Sequence, residues 1–297
     1  MGMAMAQGWV LYAPPVFSAG NEDQKKKYLA PIISGEKKGC FALTEPNAGS
    51  DAGAIRCAAK QETDGFIING TKIFITNADT SDYMVLATRT GSIEARHRGI
   101  SLFIINCRSE GITINKIPKI GAGAASTCEV VFEDVKVADE DLLGEKNRGF
   151  YTLMECLDGF RIVFGVMALG IAQGAYEEAL QYAKERETFG KPIGKRQAIQ
   201  FMLSDMFTQI EASRLMIYRA AWMIDQGIAA TKECSAAKLM ASETATNTAV
   251  KAMQIFGGYG YTLEFPIQRY FREAKLGEIG EGTSEIQRMI IAKQLGL

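Results

Sequence analysis

The sequence predicts an α+β fold, in which a small antiparallel, barrel-like β domain is followed by a C-terminal four-helix bundle. Three observations predict it: residues 1–37 have a helical pattern, residues 38–145 contain short β-type runs, and residues 146–297 contain long helical runs. Several strands without intervening helices indicate an antiparallel sheet or barrel, whereas successive long helices indicate a bundle. We therefore expect three segments, with boundaries near residues 37 and 145.

The first segment is predicted to be helical over residues 1–35. Asn21 is a preferred N-cap residue, so one helix is expected to begin there and to run through Leu29. Because proline interrupts a helix, this helix is predicted to end near Pro31.

The middle segment contains β-type runs separated by Gly, Asp and Asn. Between the first two runs lies Asn69–Gly70, the residue pair that tight primed turns prefer because both central positions need positive φ. We therefore expect a β-hairpin at Asn69–Gly70. The predicted strands are Phe66–Asn69, Lys72–Thr76, Tyr83–Arg89, Ile100–Asn106, Ile112–Ile117 and Cys128–Val135.

The last segment is predicted to form the bundle. Its first helix is apolar on most of its faces, which is typical of a helix buried on several sides. Such burial fits an oligomer whose bundles pack together, or a central helix in a monomer. The predicted helices are Arg148–Arg186, Ala198–Asp225, Thr231–Phe256 and Thr283–Leu295.

Composition excludes several classes of function. Lys plus Arg is 33 and Asp plus Glu is 34, without a basic stripe, which argues against nucleic acid or an anionic membrane as partner. No apolar run reaches the roughly 18 residues that a membrane span needs, so we expect a soluble protein without membrane insertion. The six cysteines form no CxxC pair and are expected to be reduced and partly buried.

The only histidine, His97, lies in the charged stretch Ser92–Gly99 and is predicted to be a solvated loop residue. Histidine-based nucleophile systems and histidine-rich metal sites are therefore improbable, and we expect no metal site. If the chain is an enzyme, its chemistry must depend on carboxylates or on a bound cofactor.

Four separated regions of the sequence carry motifs of a known family. They read FALTEPNAGSD (Phe41–Asp51), KIFITN (Lys72–Asn77), RETFGKPIGKRQ (Arg186–Gln197), and QIFGGYGY (Gln254–Tyr261) followed by EGTSEIQR (Glu281–Arg288). In this order the chain resembles the acyl-CoA dehydrogenases over essentially its whole length. By this resemblance, residues 1–37 correspond to the last helices of the family's N-terminal helical domain.

The resemblance implies an enzyme that uses FAD to desaturate an acyl-CoA thioester. Leu43 and Thr44 would hydrogen-bond the flavin ring, and Thr76 would place its hydroxyl near the hydride-accepting flavin N5. Phe74 stands where many members have tryptophan, and Glu285 where glutamine is common. The residues expected to bind the cofactor are Phe41, Leu43, Thr44, Phe74, Ile75, Thr76, Arg186, Gln197, Gln254, Gly257, Gly258, Thr283 and Glu285.

Helix ends offer a second explanation for part of this set. A cation at the end of a helix suits the helix dipole, which explains Arg186 without a ligand. A helix C-cap likewise explains Gly257 and Gly258. In the family, the matching arginine reaches the cofactor's diphosphate across a subunit boundary.

The family's EGT motif identifies Glu281 as the base that would remove the C2 proton. Some branched-chain members take their base from the position before the arginine of an Asp-x-x-Arg segment, but here that position is Phe160. Asp158 and Arg161 would contact the substrate's pantetheine, although an intrahelical ion pair explains their spacing equally simply. The residues expected to bind the substrate are Ser50, Asp158, Arg161 and Gly282.

Three functions stay open at this point. The first is a dehydrogenase that passes electrons to electron-transfer flavoprotein, the second an acyl-CoA oxidase, and the third a truncated chain that acts only in assembly. The resemblance implies a homotetramer or homodimer in the bacterial cytoplasm, or in the mitochondrial matrix of a eukaryote.

Overall fold

A computed structural model describes residues 2–297, with side chains described from Val10 onward, and the chain divides into two compact units. The β unit comprises Met1–Leu157 and the helical unit comprises Asp158–Leu297. A sheet dominates the first and helices the second, which confirms the predicted α+β class. The predicted boundaries at residues 37 and 145 stay predictions.

The β unit begins with helical segments: α1 (Gly2–Ala19), α2 (Glu22–Gln24), a π-helical turn (Lys25–Leu29) and α3 (Ala30–Ile33). Asn21 caps α2 as predicted, since its side chain accepts a hydrogen bond from the Gln24 backbone at 2.8 Å. The predicted end near Pro31 is confirmed to within two residues, since α3 ends at Ile33, although Pro31 itself does not end the helix. Pro31 lies in the first turn of α3, where a missing N–H costs no helical hydrogen bond.

The sheet of the β unit has eight strands. They are β1 (Gly39–Ala42), β2 (Ala58–Glu62), β3 (Gly65–Thr76), β4 (Tyr83–Arg89), β5 (Ile100–Asn106), β6 (Ile112–Lys116), β7 (Thr127–Val137) and β8 (Leu142–Leu143). The strand order is β6-β7-β3-β2-β4-β5-β8, with β1 paired to β4. Pairing is antiparallel except for β1–β4 and a single β2–β4 pair, which are parallel.

The predicted hairpin at Asn69–Gly70 is wrong, because both residues lie inside the continuous strand β3. Asn69 faces an irregularity in β7, where it exchanges two hydrogen bonds with Asp134, each 2.9 Å long. A Cβ on Gly70 would lie 2.6 Å from Cys57 Cα, so this glycine permits close approach of β2. The chain instead reverses between Glu62 and Gly65, which are paired across β2 and β3.

Buried apolar side chains fill two clusters in the β unit. One cluster contains Phe66, Ile75 and Phe103, and the other contains Tyr12, Val85 and Leu102. All six cysteines of the chain are free and buried, more completely than expected. His97 is exposed in a short 3₁₀ turn, which confirms its predicted position.

Long helices make up most of the helical unit. The helix α7, which the sequence analysis missed, adds a fifth to the predicted four. The elements are α4 (Gly149–Glu185), whose first residues belong to the β unit, β9 (Glu187–Thr188), β10 (Lys191–Pro192), α5 (Gln197–Asp225), α6 (Thr231–Phe256), α7 (Ile267–Ile279) and α8 (Ser284–Gln294).

Small residues bring three of these helices close together. The buried face of α6 carries a stripe of alanines, including Ala237, Ala241 and Ala245. A Cβ on Gly165 of α4 would lie 3.6 Å from Lys238 Cα, and one on Gly277 of α7 would lie 3.4 Å from Ser242 Oγ. This close packing fixes the helix ends that carry the site described below. No helix within residues 2–297 is long and apolar enough to cross a membrane.

Candidate active site

A buried ion pair joins the TEP turn to strand β3 in the β unit. Lys72 is fully buried, and its Nζ donates to Glu45 Oε1 and to the Leu43 carbonyl, both at 2.8 Å. Glu45 also accepts from the backbone N–H groups of Arg56 at 2.6 Å and Cys57 at 2.9 Å. The pair thereby fixes the Leu43–Thr44 turn beside the strand that carries Phe74 and Thr76.

A β-bulge presents Phe74 at the surface. Between Lys72 and Ile75, β3 advances three residues while β7 advances two, so Lys72 and Ile75 both point inward. Phe74 between them has φ of 61° and a side chain that is 61% exposed. Positive φ in a bulky residue is strained and is often kept at ligand sites.

The other predicted cofactor residues of the β unit differ in accessibility. Phe41, Leu43, Thr44 and Thr76 are half-buried and keep some surface for a ligand. Ile75 is 2% exposed and packs in the core, so only its backbone can meet a ligand. The predicted substrate residue Ser50 is exposed.

Glu281 lies in the short loop between α7 and α8, in the helical unit. Glu281 has φ of 52° and the following Gly282 has φ of 85°, so two successive residues adopt left-handed backbone. A Cβ on Gly282 would lie 2.8 Å from Gln287 Nε2, which explains the glycine. Within the described residues, the Glu281 N–H donates no backbone hydrogen bond. It is therefore available to a ligand.

Two buried side chains hold this loop through its carbonyl groups. Gln287 Nε2 donates to the Glu281 carbonyl at 3.1 Å and to the Gly282 carbonyl at 2.9 Å. Lys238 Nζ donates to the same Gly282 carbonyl at 2.7 Å. Both lone pairs of that oxygen are thus used. Lys238 and Gln287 are fully buried, and the backbone of Glu281 is consequently held in one position.

Burial raises the pKa of Glu281 to about 7, although the charges of Lys238 and Arg161 oppose that rise. The residue as a whole remains partly accessible. A carboxyl group with this pKa exchanges a proton readily near neutral pH. Glu281 therefore has the accessibility and the protonation behaviour of a general base.

Asp158 and Arg161 form the ion pair that their spacing allows, with 2.6 Å between Arg161 Nη1 and Asp158 Oδ1. Asp158 Oδ2 also accepts from the Thr231 hydroxyl at 2.7 Å, which ties α4 to the start of α6. Arg161 is buried, and its Nε has no partner among the described residues. That N–H is left for a ligand, so substrate contact stays a prediction beside the ion pair. Phe160 is 2% exposed and packs in the core.

A cleft of about 450 Å³ lies at the ends of α4 and α6. Arg186, Gly257 and Gly258 line it together with the aromatic rings of Tyr182 and Tyr259. No heavy atom lies within 4 Å of a Cβ added to either glycine, so the backbone there is open to a ligand. The Arg186 guanidinium lies over the Tyr259 ring at 5.6 Å and remains exposed.

The remaining predicted cofactor residues lie outside the cleft lining. Gln197 at the start of α5 and Gln254 near the end of α6 are both exposed. Thr283 caps α8 by accepting from the Ile286 N–H at 3.4 Å, and Glu285 is exposed in the first turn of that helix. Thr283 thus has a structural role of its own.

The residues of each unit fit parts of the flavin dinucleotide that the resemblance implies. In the helical unit, the cleft offers a guanidinium and open glycine backbone, which suit a diphosphate. In the β unit, Phe74 offers an exposed apolar face next to a hydroxyl at Thr76. These groups match the chemistry of the cofactor's diphosphate and of its flavin ring.

Sequence reasoning missed the buried residues that support the site. None of the four was singled out: Glu45, Lys72 and Gln287 lie inside the recognised motifs, whereas Lys238 lies outside them. One feature pointed to Lys238: it is the only charged residue between Glu233 and Glu243, within a run of small and apolar residues.

Comparison with known protein families matches most of the chain. Residues 40–135 match the family described as acyl-CoA dehydrogenase, middle domain. Residues 147–296 match the family described as acyl-CoA dehydrogenase, C-terminal domain. The two matches follow each other in the order in which the motifs occur.

Individual relatives cover nearly the whole chain. It is 43% identical over 295 residues to a short-chain specific acyl-CoA dehydrogenase of Clostridium acetobutylicum, spanning 99% of this chain and 78% of that protein. It is 45% identical over 282 residues to the caffeyl-CoA reductase–Etf complex subunit CarC of Acetobacterium woodii, spanning 95% and 74%. The structure of butyryl-CoA dehydrogenase from Megasphaera elsdenii superposes with a TM-score of 0.96 at 42% identity, spanning 99% and 77%.

Proposed function

The chain belongs to the acyl-CoA dehydrogenase family, and from this premise we propose that it oxidises an acyl-CoA thioester to the trans-2-enoyl-CoA with Glu281 as the base. The enzyme is a flavoprotein oxidoreductase that depends on FAD. One observation carries the proposal: the partly accessible residue Glu281 has a pKa raised to about 7 by burial and lies on a loop held by two buried side chains.

The proposed reaction begins at C2 of the thioester. Glu281 removes the C2 proton, and its unpaired backbone N–H donates to the thioester oxygen as negative charge develops there. Gln287 and Lys238 keep that N–H and the carboxyl in place through the loop carbonyls. When bound, FAD supplies the acceptor for the hydride that leaves C3.

The proposed base predicts how activity depends on pH. Glu281 must be ionised to accept a proton, and its pKa is raised to about 7. Turnover should therefore increase as pH rises through 7 and should reach a plateau above it. An unperturbed glutamate would give that plateau already near pH 5.

We assign the predicted cofactor and substrate residues on the same basis. Phe41, Leu43, Thr44, Phe74 and Thr76 would meet the flavin ring, Ile75 by its backbone only. Arg186, Gly257 and Gly258 would hold the diphosphate of a cofactor. The other proposed assignments have less structural support than these. They are Gln197, Gln254, Thr283 and Glu285 for the cofactor, and Ser50, Asp158, Arg161 and Gly282 for the substrate.

The identity of substrate and redox partner is proposed from the relatives. Relatives named for short-chain and butyryl thioesters make butyryl-CoA the first candidate substrate. Another relative is named as part of a reductase complex with electron-transfer flavoprotein, which supports such a flavoprotein as partner. If the enzyme worked in the reductive direction, Glu281 would return a proton to C2, and a pKa near 7 allows this transfer as well.

We also propose that the enzyme is a homo-oligomer, a homotetramer or a homodimer. Leu215, Tyr218 and Trp222 lie on one face of α5 with exposures of 67%, 61% and 57%, which is unusual for large apolar side chains. A second copy of the chain would cover this face. Light scattering of the purified holoenzyme measures the assembly directly.

A thioester screen tests the proposed reaction. Anaerobic addition of butyryl-CoA should bleach the flavin absorbance of the holoenzyme, and Glu281→Gln should slow bleaching at least about 100-fold. Glu243→Gln, an exposed carboxylate paired with Arg288, should bleach at the parent rate. Bleaching by Glu281→Gln at the parent rate would refute the proposed base.

Measurements on the same purified protein distinguish the proposed dehydrogenase from two alternatives, an acyl-CoA oxidase and a chain that acts only in assembly. An oxidase would form one hydrogen peroxide per turnover in air without an added acceptor, whereas a dehydrogenase would need an electron-transfer flavoprotein or an artificial acceptor. A chain that acts only in assembly would carry no flavin absorbance after purification.

A further inference from the structure

A fully buried lysine lies behind the proposed base. Lys238 projects from α6, packed where Gly165 lets α4 approach within contact distance of the Lys238 backbone. Its Nζ has a single hydrogen-bond partner among the described residues, the Gly282 carbonyl at 2.7 Å. A methionine could fill the same space without the free-energy cost of burying a charge. The presence of a charged side chain here therefore suggests that the charge has a role.

Lys238 forms no ion pair at contact distance within the part of the chain that the structure describes. Its charge is compensated at longer range by Glu281 first and by Glu278 and Glu285 next, while Arg161 opposes it. Burial lowers the pKa of Lys238 to about 8, so the side chain is still protonated at neutral pH. The carboxylate that interacts most strongly with this buried ammonium ion is therefore the proposed base.

Every element packed around the pair contributes titratable or charged groups. Helix α4 brings Asp158 and Arg161, which pair with each other. Helix α6 brings Cys234, whose thiol pKa burial raises to about 12, so it stays neutral. Helix α7 brings Glu278, which pairs with Lys275, and α8 brings the exposed Glu285. Among these groups, Lys238 and Arg161 are the cations that act on Glu281.

We infer that Lys238 is a positioning residue for Glu281, which fixes the loop through the Gly282 carbonyl and supplies the charge that keeps the base ionised. The inference rests on the proposed role of Glu281. Gln287 shares the first task, because it binds the same carbonyl at 2.9 Å, but it carries no charge. The two contributions of Lys238, hydrogen bond and charge, can therefore be separated.

Three substitutions of Lys238 separate them. Lys238→Gln keeps an N–H donor without charge, Lys238→Arg keeps the charge, and Lys251→Gln, on the exposed side of the same helix, is the matched control. The readout is the infrared absorption of the protonated Glu281 carboxyl in the holoenzyme as a function of pH, assigned by its loss in Glu281→Gln. This titration does not depend on turnover.

Lys238→Gln should move the Glu281 titration upward by about one pH unit, since an opposite charge at this range lowers a carboxyl pKa by about that much. Lys238→Arg and Lys251→Gln should titrate like the parent. An unchanged titration in Lys238→Gln would overturn the inference and would leave Lys238 as a packing residue. Retained activity of Glu281→Gln would instead refute the proposed function, and the titration would still report on Lys238.

A second measurement covers the case in which Lys238→Gln does not fold. Because coupling between two sites is reciprocal, removing the charge of Glu281 must lower the pKa of Lys238. Glu281→Gln is nearly isosteric, and the Lys238 ammonium can be followed by NMR of protein produced with lysine labelled with ¹³C at Cε, with Lys238→Arg as assignment control. An unchanged Lys238 titration in Glu281→Gln would equally overturn the inference.

Discussion

Each of the two units contains one lysine that is completely buried, and the two lysines are compensated differently. In the β unit, Lys72 Nζ contacts the Glu45 carboxylate at 2.8 Å, and Glu45 in turn accepts from two backbone N–H groups. In the helical unit, the one hydrogen-bond acceptor that the described residues offer Lys238 Nζ is a carbonyl, at 2.7 Å, and its charge is compensated by carboxylates beyond contact distance.

The difference shows how one residue type serves two purposes. A buried lysine in a tight ion pair has its charge compensated at contact distance, so Lys72 mainly fixes two chain segments. A buried lysine without such a partner acts on ionisable groups beyond contact distance, and the group that interacts most strongly with Lys238 is Glu281. Removing the first should therefore affect stability most, and removing the second should affect protonation most.

The largest expected effect is on stability in the β unit. Lys72→Met leaves the Glu45 carboxylate buried without its counter-charge and should lower the free energy of unfolding by about 3–5 kcal/mol. Urea denaturation of the holoenzyme measures this loss. Lys60→Met is the matched control, because Lys60 pairs with Glu62 at the surface, where both side chains are exposed. The control should cost less than about 1 kcal/mol.

The double variant Lys72→Met/Glu45→Gln sharpens this prediction. Removing both charges eliminates the unpaired carboxylate, so much of the stability lost in Lys72→Met should return. If the double variant were less stable than Lys72→Met alone, the two charges would not act as a pair.

The next effect is a pH-dependent stability difference in the helical unit. Burial lowers the pKa of Lys238 to about 8, so between pH 8 and 10.5 the unfolded chain binds more protons at this residue than the folded protein. Stability contributed by Lys238 is therefore lowest below pH 8 and rises with pH across this window. Relative to Lys238→Met, the parent should gain roughly 3 kcal/mol at most between pH 8 and 10.5.

Paired denaturation curves of parent and Lys238→Met at several pH values measure that gain, since titrating groups that do not interact with Lys238 cancel in the difference, and the contribution of Glu281 is followed in the same pair of variants on a Glu281→Gln background. A constant difference across the window would show that Lys238 has an ordinary pKa in the fold. The contrast between the two lysines would then lose its electrostatic basis.

The smallest expected effect comes from the uncharged support of the same loop. Gln287→Met removes the hydrogen bonds to the Glu281 and Gly282 carbonyls, which should cost about 1–3 kcal/mol of unfolding free energy. Because no charge is lost, the pH at which turnover rises should stay within about half a unit of the parent. A larger displacement of the pH profile would mean that loop position, and not charge, sets the pKa of Glu281.

Much of the fold could be predicted because its patterns are local. The strands Tyr83–Arg89 and Ile100–Asn106 and the helix Thr231–Phe256 occur with the bounds expected from their runs of apolar residues. The hairpin prediction at Asn69–Gly70 was wrong because turn propensity is a local property. The bulge opposite Asn69 depends instead on Asp134, which is 65 residues away in the sequence. Helix α7 was not predicted because few of its side chains are buried, among them Ile267 and Ala274.

For a related reason, the sequence could predict the motif residues of the candidate site but not the buried residues that support them. Glu281 and the cofactor residues lie in motifs that resemblance can identify, and their assignments stay predictions. Lys238 binds a carbonyl 44 residues away and Lys72 a carboxylate 27 residues away, so only folding reveals their partners. Side chains that act through long-range contacts within the interior leave little pattern in the sequence.

Proton exchange at C2 tests the central claim, that Glu281 is the base, most directly. The holoenzyme is incubated in D₂O with an acyl-CoA analogue whose C3 is replaced by sulfur, so that no hydride can leave, and deuterium at C2 is followed by NMR. The parent and Glu243→Gln should exchange the C2 proton, and Glu281→Gln should lose exchange by about 100-fold or more. Exchange by Glu281→Gln at the parent rate would contradict the account.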